Sequence, residues 1–231
     1  MAIKVTTTRQ TATTVKILVY GESGVGKTRL IASAPKPVII SSEKKEISLK
    51  NFDIPVYPVS SIADLKEAIG LLKGPDGEVF ETICLDSISD IAEMMLDEFS
   101  QPDEKGKVPH GMQIYGNLGR EGTALIKQFR DIPGKNIYMI AKMTRLTDEY
   151  SGVTSWAPNM PGNTLSTGLP YLFDYVFPLR IGEMEDGTKY RYFQTGSDVQ
   201  YIAKGDNETL EEMEEADLEK LFNKILGAEN A

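Results

Sequence analysis

Residues 21 to 28 read GESGVGKT, which satisfies the spacing G-x-x-x-x-G-K-[ST]. The residue types specify a chemistry. Gly21, Gly24 and Gly26 let the backbone turn tightly, so that its N–H groups, including those of Glu22, Ser23 and Val25, face anionic oxygens. Lys27 adds a positive charge and Thr28 a hydroxyl suited to a divalent cation, so the stretch is built to hold a chain of phosphates. A glycine-rich turn met by chance would not need the flanks found here, the apolar run VKILVY before it and the helical run RLIASA after it.

Phosphate chemistry with a metal also needs carboxylates at strand ends. The run TICLDS ends a buried strand in Asp86, which either holds the shell of a Mg²⁺ ion or caps the helix that begins near Ser87 or Ile88. The run VIIS, inserted along the chain between these two parts, ends in Ser41, Ser42 and Glu43. Glu43 is either an acid that polarises an attacking water or one member of a solvated charged turn, EKKE at 43 to 46.

Elements that would position these groups follow from pattern. Residues 1 to 14, rich in threonine, read as a mobile arm, and strands are expected at Val15 to Tyr20, Val38 to Ser41, Glu81 to Leu85 and 137 to 141. Helices are expected over Lys27 to Ala34, from the Ser61 cap to Gly74, over ISDIAEMMLDEF, and around Leu125, Ile126 and Phe129. Residues 100 to 119 and 142 to 163 read as long polar loops, and YVFPLRI, KYRYFQT and VQYIAK have β character. Thr209 with Glu212 forms a capping-box pattern, which predicts an amphipathic helix carrying Leu210, Met213, Leu218, Leu221, Phe222 and Ile225 and closed by Gly227. Strands alternating with helices up to residue 141 imply a mostly parallel α/β sheet, and the late strands an antiparallel extension. Three units result: the arm over 1–14, a core over 15–205 and an acidic helix over 206–231.

The order of parts resembles the RecA-type P-loop ATPase core, and is most similar to small phage-encoded, RecA-like single-strand annealing proteins or core-only recombinases. The resemblance covers about residues 15 to 205. It implies an ATP- and Mg²⁺-dependent ATPase in which Lys27 and Thr28 bind phosphate and metal, Asp86 holds the metal shell, and Glu43 acts on the attacking water. The position of the RecA glutamine that senses the terminal phosphate falls at Lys142. Lys204 would reach a neighbouring subunit's nucleotide, unless it is a plain surface lysine. The two loops match the DNA-binding loops of RecA, which implies contacts from Lys105, Lys107, His110, Arg145, Tyr150 and Trp156 to single-stranded DNA. The other reading of Tyr150 and Trp156 is that they anchor a loop to the core. The implied partners are single-stranded DNA, a single-stranded-DNA-binding protein and further copies of the chain in a ring or filament. The expected departure from RecA is the lack of a separate N-terminal helical domain before the core.

Composition bounds these expectations. The net charge is −9, but residues 206 to 231 carry nine acids against two lysines, which leaves −2 for the rest and does not exclude a basic groove. No apolar run suits a bilayer span or a signal peptide, so a cytoplasmic protein without membrane contact is expected. Cys84 is the single cysteine, placed for burial, and His110 has no Cys or His partner at metal-ligand spacing. Two other functions use the same phosphate site. A small-molecule phosphotransferase would need an arginine-rich lid, yet residues 143 to 163 contain only Arg145. A nucleotide-gated binding protein would result if Glu43 is a surface acid.

Overall fold

The strand runs KILVY and TICLD are apolar at nearly every position, the pattern of strands covered on both faces rather than on one. The computed structural model describes residues 5–43, 46–148, 150–206 and 208–227. In chain order its elements are a helical turn α1 (Thr8–Thr11), β1 (Lys16–Tyr20), α2 (Lys27–Leu30), β2 (Pro37–Ser41), β3 (Val56–Pro58), α3 (Ile62–Lys73), β4 (Thr82–Asp86) and α4 (Ile88–Phe99). There follow α5 (Gly111–Arg130), β5 (Asn136–Thr147), β6 (Thr154–Asn159), α6 (Asn163–Gly168), β7 (Tyr175–Glu183), β8 (Lys189–Gln194), β9 (Met213–Glu215) and α7 (Leu218–Leu226). Of the predicted arm, residues 1–4 lie outside the described residues, as do Lys44 and Lys45 of the charged turn and residues 228–231 of the acidic end.

The strands form one sheet in the order β3-β2-β4-β5-β1-β7-β8-β9, with β6 paired to β5. Pairings from β3 through β7 are parallel; β5 with β6, β7 with β8 and β8 with β9 are antiparallel. The strand lying between β1 and β4 is β5, while β2, the earlier VIIS run, sits on the far side of β4. Alternate residues face opposite layers. Leu18, Ile40, Leu85 and Met139 pack under α3, α4 and α5, whereas Ile17, Ile39, Cys84 and Tyr138 pack under α2 and α7. Cys84 is fully buried in the middle of β4.

Local chemistry starts the helices where expected. The Ser61 hydroxyl accepts from the Asp64 amide at 3.1 Å, and the Ser87 hydroxyl from the Asp90 amide at 3.2 Å. No helix among the described residues is long and apolar enough to cross a membrane.

Four expectations are corrected. Residues 111 to 119 are not loop but the first half of α5, whose glycines lower helix propensity yet admit a close neighbour. A Cβ on Gly119 would lie 3.2 Å from Thr164, and one on Gly122 3.0 Å from Leu165, both on α6. The second loop is a hairpin: β5 outruns the sheet to Thr147, and β6 returns along it with Arg145 opposite Trp156. The run VQYIAK forms only two isolated bridges, Tyr201 to Trp156 and Lys204 to Val176.

The predicted C-terminal helix is divided. Residues Met213–Glu215 pair with Tyr192, Phe193 and Gln194, because the free edge of β8 offers hydrogen bonds that outweigh helix propensity. The Thr209 hydroxyl donates to Asp206 at 2.8 Å, and the working cap is Asp217, which accepts from the Lys220 amide at 3.0 Å. Leu218, Leu221 and Phe222 are buried as expected, but Met213 is exposed.

Candidate functional site

The parallel strands all deliver their C-terminal ends to one side of the sheet. Register places Tyr20 beside Ala141, Asp86 beside Ile140, and Ser41 beside Asp86. Four chain segments therefore leave the sheet side by side: the glycine loop, the Ser42–Glu43 stretch, the start of α4 and the outrun of β5. They enclose a cavity of about 670 Å³ lined by Gly21, Glu22, Ser23, Gly24, Gly26, Lys27, Thr28, Glu43, Asp86, Lys142 and Trp156, all expected in a site.

The loop has the geometry of a phosphate cradle. Gly24 and Gly26 adopt φ of 78° and 108°, left-handed conformations that favour glycine. The Lys27 ammonium donates to the carbonyls of Gly21 and Glu22, each at 2.8 Å. Burial pulls its pKa below the usual lysine value, against the opposing charges of Asp86, Glu43 and Glu22. The Thr28 hydroxyl donates to Asp86 Oδ2 at 2.6 Å. A hydroxyl and a carboxylate at this separation form a donor set of hard oxygens, which fits a Mg²⁺ ion that keeps further water and phosphate ligands. The Tyr138 hydroxyl donates to the Lys27 carbonyl at 2.9 Å and fixes the loop to β5.

A charged network forms the opposite wall. Ser87 Oγ lies 3.4 Å from Glu43 Oε1 and hydrogen-bonds Asp90. The Lys142 ammonium reaches Asp90 at 2.7 Å and Glu93 at 3.0 Å, so the lysine at the sensor position is tied to α4. Burial works to raise the Asp90 carboxyl, but hydrogen bonds with Glu43, Lys142 and Ser87 and the Lys142 charge outweigh it and hold it below the usual range.

The remaining predicted residues lie elsewhere. Val25 is buried beneath the loop. The Lys204 ammonium donates to the Phe173 carbonyl of its own chain at 2.6 Å, and Lys204 is not part of the cavity wall. Lys105 and Lys107 are exposed on a turn organised by Asp103, whose carboxylate accepts both their amides at 2.9 Å. His110 directly precedes α5. Tyr150 is fully exposed at the hairpin turn. The Arg145 guanidinium lies 4.6 Å from the centre of the Trp156 ring, which ties the hairpin to the cavity.

Sequence reasoning missed several wall residues, among them Arg29, Ser48, Ser87, Asp90, Ile140 and Met143. Asp90 had a sequence signal, an acid in the first turn of α4 three residues after the Ser87 cap. It missed Arg191 as well: from β8 its Nε donates to the Val25 carbonyl at 2.6 Å. Nothing local in the sequence links positions so far apart.

The sequence matches the family described as AAA domain over residues 13–206. No curated protein matches it. Among solved structures it is similar to a KaiC-like protein from the hyperthermophilic archaeon Pyrococcus horikoshii OT3, at 15% identity and a TM-score of 0.45, covering 87% of this chain and 83% of that one. It is also similar to the RadB recombinase, at 14% identity and a TM-score of 0.44, covering 78% of this chain and 87% of that one.

Proposed function

The chain belongs to the AAA-domain family, and from that premise we propose that it binds and hydrolyses ATP with Mg²⁺ and works on single-stranded DNA, in annealing or strand pairing. The observation that carries the reading is the Thr28–Asp86 contact at 2.6 Å, made in the same cavity wall as Lys27 and Glu43. Bound Mg²⁺ would neutralise charge on the β- and γ-phosphates, held through the Thr28 hydroxyl and the Asp86 carboxylate. The loop amides and the Lys27 ammonium hold the phosphate oxygens, the ammonium exchanging two loop carbonyls for them. Glu43 orients the attacking water and accepts its proton. Lys142, paired with Asp90 and Glu93, adds a positive charge to the wall next to Glu43.

Support for the DNA part comes from the hairpin of β5 and β6. Its stacked Arg145 and Trp156 offer a cation and a ring face to a phosphate and an unpaired base, with Tyr150 exposed beyond them. Lys105 and Lys107 would neutralise further phosphates.

The test is the ATPase rate with and without single-stranded DNA, on the wild type and on Glu43→Gln. We expect DNA-stimulated turnover in the wild type and a loss of roughly a hundredfold or more in the variant. Turnover that requires a small phosphate acceptor would instead identify a phosphotransferase. ATP binding without turnover in the wild type would identify a nucleotide-gated binding protein.

A further inference from the structure

Arg191 lies 163 residues beyond Thr28, on the antiparallel extension, yet it touches the apex of the glycine loop. Its Nε donates to the Val25 carbonyl at 2.6 Å, at a residue that is not in the cavity wall although its neighbours Gly24 and Gly26 are. The approach is close enough to involve the next residue: a Cβ on Gly26 would come within 2.8 Å of Arg191 Nε and 3.3 Å of its Cδ. Gly26 is favoured by its φ of 108°, and an added side chain there would also displace the arginine laid across it. A second cavity, of about 500 Å³, opens at this point; Gly26, Arg29, Phe52, Tyr190 and Arg191 are in its wall, and it shares Gly26 and Arg29 with the first. Arg191 stands at the seam between the two.

We propose that Arg191 is a positioning residue of the phosphate site: by holding the Val25 carbonyl, it fixes the loop with its amides turned toward the cavity and places a guanidinium behind them. The proposal rests on the nucleotide reading of the cavity and extends it to β8. Two physical effects act in the same direction. A cradle of main-chain amides loses affinity when it must be ordered by the ligand, and a hydrogen bond from a charged donor to a carbonyl at the apex removes part of that ordering cost. The guanidinium also adds positive potential where phosphate charge collects. Neither effect distinguishes the ground state from the transition state, so the consequence falls on binding rather than on turnover.

The experiment measures KM and kcat for ATP, direct binding of a fluorescent ATP analogue, and thermal stability, on Arg191→Met, Arg191→Lys and Lys27→Ala. Because Arg191 is exposed, the methionine variant is expected to fold. We expect Arg191→Met to raise KM and the analogue Kd about tenfold, the scale of one charge-assisted hydrogen bond, with kcat within about twofold of the wild type. Arg191→Lys should recover part of the loss, since an ammonium keeps the charge and a donor. Unchanged KM and Kd in Arg191→Met, or a fall in stability with affinity intact, would overturn the proposal. Lys27→Ala separates it from its premise: affinity lost there and retained in Arg191→Met refutes Arg191 alone, whereas wild-type affinity in Lys27→Ala refutes the nucleotide site and the proposal with it.

Discussion

Lys16, at the start of β1, shows how a single half-buried cation affects stability at a distance from the site. Burial lowers its pKa from the ordinary 10.5 to about 8, against the partial compensation of Asp174 and Asp131, and its ammonium donates to the Lys135 carbonyl. Between these two values the unfolded chain binds a proton that the folded chain has released, so folding stability gains as pH rises through the window from about 8 to 10.5. Below pH 8 the cost of burying the charge is fully present. Lys16→Met removes the group, and the difference between the urea midpoints of wild type and variant should shift toward the wild type as pH rises through this window; a constant difference would refute the shift. At the site, most of the cavity wall was legible at this scale, because GESGVGKT, the Asp86 strand end and Glu43 are local patterns with a stated chemistry. Arg191 was not, since only the pairing of β7 with β8, and of β7 with β1, brings it to the loop.

At the scale of elements, long-range pairing decides what local propensity leaves open. Residues 111 to 119 look like loop because glycine disfavours helix, but Gly119, with Gly122 one turn on, faces α6 where an added side chain would meet Thr164 and Leu165 closely; Gly111 and Gly116 face open space. Gly122→Val should therefore destabilise the fold by about 1–3 kcal/mol through overpacking against Leu165, although valine is the better helix former. Chemical denaturation measures the difference, and a neutral or stabilising effect would mean that α6 shifts freely. The same logic explains β9, where residues that follow a helical capping pattern were taken by the open edge of β8. It explains the hairpin too, for a polar stretch with Gly152 at φ 69° reads as loop until its return strand is seen to register residue by residue against β5.

For the whole molecule, the alternation of strands and helices was enough to give the parallel sheet and its antiparallel extension, because consecutive burial on both strand faces leaves few other arrangements. The order of the strands was not in the pattern. Placing β5 between β1 and β4 depends on crossovers that no local stretch encodes, and this placement puts Lys142 and the hairpin beside the glycine loop. The same sheet hides the chain's one thiol. Cys84 lies in β4 with neighbours on both sides and helices above and below, two residues before the carboxylate at the strand end, and burial pushes its pKa up, so both access and reactivity are withheld. A thiol reagent can then modify the protein only when the sheet comes apart, and the labelling rate becomes a clock for that opening. On the proposed function, ATP should slow the clock by the factor 1 + [ATP]/Kd, and a rate indifferent to nucleotide would place the opening event apart from the cradle.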